Sequence, residues 1–203
     1  MELRTIIGTN VDLIMPFPVS EINRIYGWMH CYRTLTESDD TFKERDKYCE
    51  WLAGRMAHSV SWGIIDKNHL TNNNHEAPLV GYGSFEPLLM PNNAIRDGYV
   101  HLATARRSWK ARLVDEAVPL MMRDLFDGIP TLLRFSGMFN ERNAPMKSLA
   151  RRMGWKCEGV KEDAFTFNGE AQNLIMYGIT RRNYEKIQTS LVTSVETTPI
   201  SKE

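Results

Sequence analysis

The chain has 203 residues, of which 42% are hydrophobic and 25% are charged. A chain of this length buries about 70% of the surface that its unfolded form exposes, which is enough for a core without metals or disulfides. Twenty-five basic and 25 acidic residues give a net charge of zero, so overall charge attracts neither nucleic acid nor an anionic membrane. These numbers favour one globular domain and exclude a generally basic DNA-coating protein.

The cysteines and histidines form no recognisable metal or redox motif. Cys31, Cys49 and Cys157 are scattered and contain no C-x-x-C pair, which favours free thiols in a reducing compartment. His69 and His75 flank a run of three asparagines, which favours a solvated turn over a metal site. The sequence therefore predicts no bound metal.

Targeting signals are also missing from the sequence. The amino terminus lacks the basic and apolar regions of a signal peptide, and no apolar run reaches the roughly 18 residues that span a membrane. We therefore expect a cytoplasmic protein that does not cross a membrane.

The amino-terminal half predicts strands, two helices and further strands, in that order. Strand residues lie on both sides of a turn at Gly8-Thr9-Asn10. The spacing of Ile22, Ile25 and Tyr26 predicts a first helix, and a capping-box pattern over 41–44 predicts a second. Three strands are then expected at residues 59–65, 79–89 and 99–105.

The carboxyl-terminal half predicts two more helices and a closing hairpin. The first helix spans residues 111–126 with Pro119 inside it, and the second begins at Asn143 and ends at Gly154. The remaining elements are a strand at 131–138 and a hairpin of strands 158–167 and 172–180 joined by Asn168-Gly169. We expect one mixed α/β domain over residues 1–185 and a disordered Thr/Ser-rich tail over 186–203.

The clearest motif lies between Asn143 and Trp155, with the sequence NAPMKSLARRMGW. This asparagine, helix and Gly-aromatic ending, together with the hairpin turn at Asn168-Gly169 and the run from Met176 to Arg181, resembles the GCN5-related N-acetyltransferase (GNAT) family. The match is to its ribosomal-protein alanine N-acetyltransferase branch. The resemblance implies a single α/β domain with a mostly antiparallel sheet, one splayed parallel pair of strands and flanking helices.

Acetyl transfer from acetyl-CoA to a protein amino terminus or another amine is the activity that the resemblance implies. It places the thioester between the strands at 99–105 and 131–138, with Asn143 beside the pantetheine arm. Glu86 and His101 are candidates for the general base. The residues expected to bind the cofactor are Ala103, Thr104, Ala105, Trp109, Lys110, Ala111, Arg112, Leu113 and Asn143.

Several positions depart from the family pattern. Its phosphate loop, Arg/Gln-x-x-Gly-x-Gly/Ala, falls on Trp109, Arg112 and Val114. We expect the side chains of Arg112 and Val114 to stand where glycines let the backbone approach the diphosphate. The tyrosine and serine that serve as general acids in relatives fall on Ala150 and Met146.

Two functions remain open from the sequence. One is an acetyl-CoA-dependent N-acetyltransferase, which we place ahead because the motif from Asn143 to Trp155 is intact. The other is a catalytically inactive protein that keeps the fold for a binding or structural role, such as a phage-encoded virion or assembly component located in the host cytoplasm or the virion. Asn143 fits a helix cap as well as a cofactor contact.

The basic segment from Arg106 to Arg112 has more than one interpretation. It fits a phosphate site, a nucleic-acid contact through stacking on Trp109, or a solvated turn. Zero net charge argues against the nucleic-acid interpretation. The acceptor, a protein or a small amine, and the oligomeric state are not predicted.

Overall fold

The computed structural model describes residues 3–31, 44–68, 79–91, 94–167 and 169–196. Within these residues the chain forms eight strands and six α-helices. The strands are β1 (Arg4–Ile7), β2 (Val11–Met15), β3 (Val60–Asp66), β4 (Leu79–Leu89), β5 (Ile95–Thr104), β6 (Arg134–Asn140), β7 (Lys156–Phe167) and β8 (Glu170–Thr180). The helices are α1 (Ile22–Cys31), α2 (Arg45–Met56), α3 (Arg106–Lys110), α4 (Val114–Gly128), α5 (Ala144–Arg152) and α6 (Arg181–Glu196).

All eight strands form one sheet in the order β1-β2-β3-β4-β5-β6-β8-β7. Neighbours are antiparallel except β5 and β6, which run parallel with Tyr99 opposite Ser136. Helices α3 and α4 lie between these two strands in the chain and supply the crossover that a parallel pair needs. The predicted mixed α/β domain with one parallel pair is confirmed.

Separate sets of buried side chains cover the two faces of the sheet. On one face, Tyr82 and Ala103 pack with residues of α1 and α2 such as Ile25 and Leu52. The other face packs against α4, and its largest buried side chain is Trp62. We call these the α1/α2 face and the α4/α5 face, since Leu149 of α5 belongs to the second core.

The predicted helix over residues 111–126 is wrong at its start. The chain instead forms the short helix α3, a turn over residues 111–113, and then α4, which includes Pro119. The turn forms because the buried Ser108 binds the chain on both sides: its hydroxyl donates to Val80 C=O at 3.1 Å and its carbonyl accepts from Leu113 N–H at 2.9 Å.

The far end of α4 is fixed by Arg181 at the start of α6. Its guanidinium donates to the carbonyls of Phe126, Ile129 and Leu132 at 2.7–2.9 Å. A cation at this place satisfies the orphan carbonyls of the helix and complements its dipole.

Helix α6 extends to Glu196, through much of the segment for which composition predicted disorder from residue 186. Tyr184 and Ile187, three positions apart, pack against the α4/α5 core, and Tyr184 stacks on Phe126 with ring centroids 4.8 Å apart. This apolar pair stabilises a helix in a segment that is otherwise rich in Thr and Ser. The proposed division at residue 185 stays a prediction, and residues 197–203 lie outside the described part.

Several predicted features fall on residues that the structure does not describe. These are most of the capping box (41–43), the asparagine run with its two histidines (69–78) and Asn168 of the hairpin turn. The helix and the hairpin strands themselves are present, and Gly169 has the positive φ of +78° that such a turn requires. Among the described helices, none has the length and apolar character needed to span a membrane.

Candidate active site

A cavity of about 300 Å³ opens where β5 and β6 separate. The two strands, both fully described, are paired through Tyr99 and Ser136 and diverge beyond that pair. The cavity is lined from both faces of the sheet: by α1, α2 and β4 on one side, and by α4 and α5 on the other. It therefore passes through the sheet between the two strands that the sequence predicted to splay.

The backbone of β5 directs alternate N–H groups into this gap. Ala105 N–H donates to Val80 C=O on the β4 side at 2.8 Å. Since directions alternate along a strand and the register is regular here, the N–H of Ala103 also faces β4, while those of Leu102 and Thr104 face β6. The inward donors near the expected oxyanion position therefore belong to Leu102 and Thr104, and Ala103 contributes its side chain to the wall.

Thr104 also carries an unsatisfied polar group. Its side chain is buried on the α4/α5 face, opposite Gly81, and its hydroxyl has no hydrogen-bond partner within the described structure. A buried hydroxyl without a partner costs free energy, so an orphan of this kind indicates a place that accepts one further polar contact.

Asn143 caps α5 and also faces the cavity. Its Oδ1 accepts from Met146 N–H at 3.1 Å, which caps α5. The same residue lines the cavity. The cap is therefore confirmed, and the cap places the residue at the α4/α5 side of the gap.

Two N–H groups of the turn before α4 are bonded within the chain. Arg112 N–H donates to Trp109 C=O at 3.2 Å, in addition to the bond from Leu113 to Ser108. Arg112 has a φ of +56°, a conformation that favours glycine and that falls on the glycine position of the family pattern. The turn thus adopts a glycine-like backbone without a glycine.

A carboxylate occupies the first turn of α4, between two arginines. Asp115 Oδ2 accepts from Arg112 Nε at 2.6 Å, and its Oδ1 accepts from Nη2 of Arg152 on α5 at 2.5 Å. Burial alone raises the pKa of Asp115, but the two arginines outweigh it, so the pKa lies below its usual value. The Arg112 side chain is 71% exposed and lies on the surface.

The side chains beside this turn do not block the approach to its backbone in the way that the sequence predicted. Val114 is 1% exposed and belongs to the core, so it does not stand in the path of a ligand at this turn. Trp109 is half-buried and packs against the same core. Lys110 and Ala111 are exposed beside Arg112.

Glu86 and His101 come together on the α1/α2 face with a residue that the sequence did not single out. Arg55 of α2 donates through Nη2 to Glu86 Oε2, and the same nitrogen lies 3.2 Å from His101 Nε2. Glu86 Oε2 and His101 Nε2 are 3.6 Å apart. The Arg55 guanidinium also lies over the Trp51 ring, 4.8 Å from its centroid. The spacing of Trp51 and Arg55, one helical turn apart, was the available signal.

The ionisation of this group favours a neutral imidazole. Burial and the charge of Arg55 lower the pKa of His101 more than Glu86 raises it, so the ring is neutral at pH 7. Burial raises the pKa of Tyr82 on the same face, so its phenol stays protonated. Among the described residues of this group, the charged side chains are then the Glu86 carboxylate and the Arg55 guanidinium.

The two positions that carry a general acid in relatives are apolar here. Met146 and Ala150 both line the cavity. Ser148, the nearest hydroxyl on α5, instead accepts from Arg152 Nη1 at 2.7 Å. The departing group would therefore have to leave without a donor at either of these positions.

Comparisons with known proteins show the fold. No family model matches the chain, and no curated protein matches it. Among solved structures, RimL, the ribosomal L7/L12 α-N-protein acetyltransferase in complex with coenzyme A, matches with a TM-score of 0.67 at 15% identity, over 88% of this chain and 98% of that one. The protein has the fold of the GNAT acetyltransferases.

Two further matches carry related activities. The ribosomal-protein-S5-alanine acetyltransferase from Vibrio fischeri gives a TM-score of 0.63 at 14% identity, over 89% of this chain and 98% of that one. The spermidine/spermine N-acetyltransferase SpeG from Vibrio cholerae gives 0.66 at 12% identity, over 89% and 99%. These likenesses extend across nearly the whole of each chain and concern the fold.

The residues of this chain fit acetyl-CoA at one end of the gap more closely than at the other. The cavity and the inward N–H groups of β5 suit a thioester and an amide-bearing arm. At the turn before α4, exposed Lys110 and Arg112 offer charge in place of glycines with free N–H groups.

Proposed function

We propose that this protein is an acetyl-CoA-dependent N-acetyltransferase that acts on a protein amino terminus or another amine. The observation that carries the proposal is the cavity that passes through the sheet between β5 and β6. It connects Asn143 on the α4/α5 face with Glu86 and His101 on the α1/α2 face. An acetyl donor on one face of the sheet and an amine on the other face can therefore meet in the cavity.

When bound, acetyl-CoA supplies a thioester whose acetyl group passes to the amine. The chain's own contribution is orientation and charge stabilisation. N–H groups of Leu102 and Thr104 point into the gap, where they stabilise negative charge on a carbonyl oxygen. Asn143 holds the start of α5 beside the same gap. The amine nitrogen forms the new C–N bond as the C–S bond breaks.

His101 and Glu86 are positioned to take the proton that the amine loses. A neutral imidazole and an ionised carboxylate are both proton acceptors, and both line the cavity. The thiolate that leaves is a weak base. It needs little assistance, which is compatible with apolar side chains at Met146 and Ala150.

The cheapest test is the effect of acetyl-CoA on thermal stability. Millimolar acetyl-CoA is expected to raise the Tm, because a ligand that binds only the folded state stabilises it. Arg112→Glu should abolish the shift by placing an anion at the diphosphate position, while Arg182→Glu, at an exposed arginine of α6, should keep it. An unchanged Tm in the wild-type protein would contradict the proposal.

Turnover is tested by the release of free thiol from acetyl-CoA. The assay uses a panel of peptides with free amino termini and of alkyl amines, with Glu86→Gln and His101→Gln as variants. Thiol release that depends on an added amine supports the enzyme. A Tm shift without thiol release from any acceptor would favour the second candidate, a binding protein of the same fold, for which the apolar residues at Met146 and Ala150 are the supporting observation.

A further inference from the structure

The contact of Arg55 with the two candidate bases has an unusual geometry. One nitrogen, Nη2, bonds both Glu86 Oε2 and His101 Nε2, and these two acceptors are 3.6 Å apart. Two acceptors at this spacing hold a single nitrogen that carries two or more N–H groups. The described residues fill that position with the chain's own cation.

The surroundings of this nitrogen suit a cation in general. The Trp51 ring lies under the Arg55 guanidinium at 4.8 Å, and an aromatic face attracts positive charge. Tyr82 keeps its proton because its pKa is raised, and Glu86 supplies the negative charge. The side chains of Arg55, Glu86 and His101 are 33–40% exposed, so the guanidinium can leave this position for solvent without unfolding the helix.

Arg55 also blocks the chemistry proposed above. While its Nη2 donates to His101 Nε2, the single lone pair of that nitrogen is occupied, and the same Nη2 covers Glu86 Oε2. His101 Nε2 cannot accept a proton from an acceptor amine until Arg55 moves, and no other nitrogen can bond both acceptors while Arg55 is there. The position of Nη2 is therefore the position that the reacting nitrogen must take.

We propose that the acceptor is a cationic primary amine whose ammonium group displaces Nη2 of Arg55 from between Glu86 and His101, so that Arg55 acts as an internal substitute for the substrate. This inference rests on the proposed acetyltransferase function and adds to it the acceptor's charge and the place of its nitrogen. Arg55 is a specificity residue in this scheme: an acceptor must outcompete its guanidinium to reach the bases.

The experiment measures binding of n-butylammonium by NMR, without acetyl-CoA. Wild-type protein is compared with Arg55→Met, which keeps the alkyl stem beside Trp51 and removes the charge. Arg45→Met, at an exposed arginine of the same helix that bonds Asn23 at 3.0 Å, is the matched control. If Arg55 occupies the position for about 90% of the time, its removal strengthens binding about tenfold.

A ligand control separates this site from a general attraction of cations. Butyltrimethylammonium has the same charge but no N–H group. Replacing Arg55 by Met should therefore strengthen its binding by less than the tenfold gain expected for n-butylammonium. Adding Glu86→Gln to Arg55→Met should remove the gain for n-butylammonium. Equal or weaker n-butylammonium binding by Arg55→Met than by wild type overturns the proposal.

The pKa of His101 provides a second readout. Removing an arginine that lies in solvent, away from the ring, would leave this pKa unchanged. The groups facing the ring are Arg55 of α2 and Glu86 of β4, with Tyr82 and Tyr48 nearby in the same cavity. Removing Arg55 leaves Glu86 as the near charge, so the pKa of His101 should rise in Arg55→Met and in a second neutral variant, Arg55→Gln. An unchanged pKa would show that Arg55 does not hold the ring.

The opposite chemistry is tested with acetate. If acetate binds the wild-type protein at this site and is lost in Arg55→Met, then Arg55 recognises an anionic acceptor and the proposal is overturned. All these measurements omit acetyl-CoA. Their failure therefore leaves the cofactor result standing, and a failure to bind acetyl-CoA leaves the amine result standing.

Discussion

Helices α4 and α5 pack on the same face of the sheet, yet their first turns are held in different ways. At α5 a side chain does the work, because Asn143 Oδ1 accepts from Met146 N–H at 3.1 Å. At α4 no side chain caps the helix. There the main chain folds back on itself through the bonds from Arg112 to Trp109 and from Leu113 to Ser108.

The difference shows why only one of the two turns is visible in the sequence. A cap made by a side chain restricts residue identity, and Asn at the N-cap is among the favoured types. A turn made by backbone bonds restricts conformation, and it accepts any side chain that tolerates the backbone angles. Arg112 satisfies that condition at a φ of +56°.

The largest effect is expected from shortening the buried side chain of the α4 turn. Leu113 is 5% exposed, and Leu113→Ala should lower the free energy of unfolding by about 2–4 kcal/mol through lost burial and a residual cavity. Chemical denaturation measures the loss. Leu133→Ala, at a leucine that is 54% exposed, is the control, and equal losses in the two variants would mean that the turn is not anchored by its core contact.

The second test addresses the α5 cap. Asn143→Ala should cost about 1 kcal/mol of stability, while Asn143→Asp should keep most of it because a carboxylate also accepts from Met146 N–H. Binding of acetyl-CoA is then measured for Asn143→Asp alone. Weakened binding at unchanged stability would assign the residue a cofactor contact beyond its cap, and unchanged binding would limit it to the cap.

The third test uses the pH dependence of the ion pairs at the start of α4. The pKa of Asp115 is lowered, with burial opposing the shift and Arg152 and Arg112 producing it. A carboxylate whose pKa is lower in the folded state than in the unfolded state stabilises the fold. This stabilisation is fully present at a pH above the ordinary pKa of about 3.8, and it is lost as the pH falls through the lower pKa of the folded state.

Urea denaturation of Asp115→Asn should therefore show a lower stability than wild type at pH 7, by less than about 1 kcal/mol for partly exposed pairs. The difference should shrink below pH 4. Asp127→Asn, at an exposed aspartate of the same helix, is the control. A difference that stays constant down to pH 2 would rule out the ion pairs as its source.

The smallest expected effect comes from restoring a glycine. Arg112→Gly relieves the positive φ, but it also loosens the unfolded chain and removes the exposed ion pair with Asp115, so these opposing effects should change stability by about 0.5 kcal/mol or less. Asp163→Gly, at the other described non-glycine residue with a positive φ (+46°), should behave alike in denaturation. Only Arg112→Gly should alter acetyl-CoA binding. An equal effect of both variants on acetyl-CoA binding would mean that the turn at Arg112 does not contact the cofactor.

Sequence patterns predicted most of the fold because they follow from periodicity and turn chemistry. The strands β3 to β5, the Asn143 cap and the Gly169 turn all appear as expected. The division between α3 and α4 was missed, because it depends on the hydroxyl and carbonyl of the buried Ser108, and composition gives no sign of either contact.

For the candidate site, the sequence could identify residue types but not their partners. Glu86 and His101 were predicted as candidate bases, and the cross-strand register places Ser84 opposite His101 and Glu86 opposite Tyr99, on one face. Arg55 reaches them from α2, across 31 and 46 residues of chain. Contacts of that range depend on how a helix packs over a sheet, which local pattern does not specify.

The separation of the two cores has a consequence for how such a protein changes over generations. The buried set beneath α1 and α2 shares no member with the set beneath α4. Side chains of α1 and α2 can therefore be enlarged, shortened or recharged without repacking the core beneath α4. Under the proposed function, single substitutions in α1 or α2 would then change which amine is accepted while the α4/α5 side of the cavity stays the same.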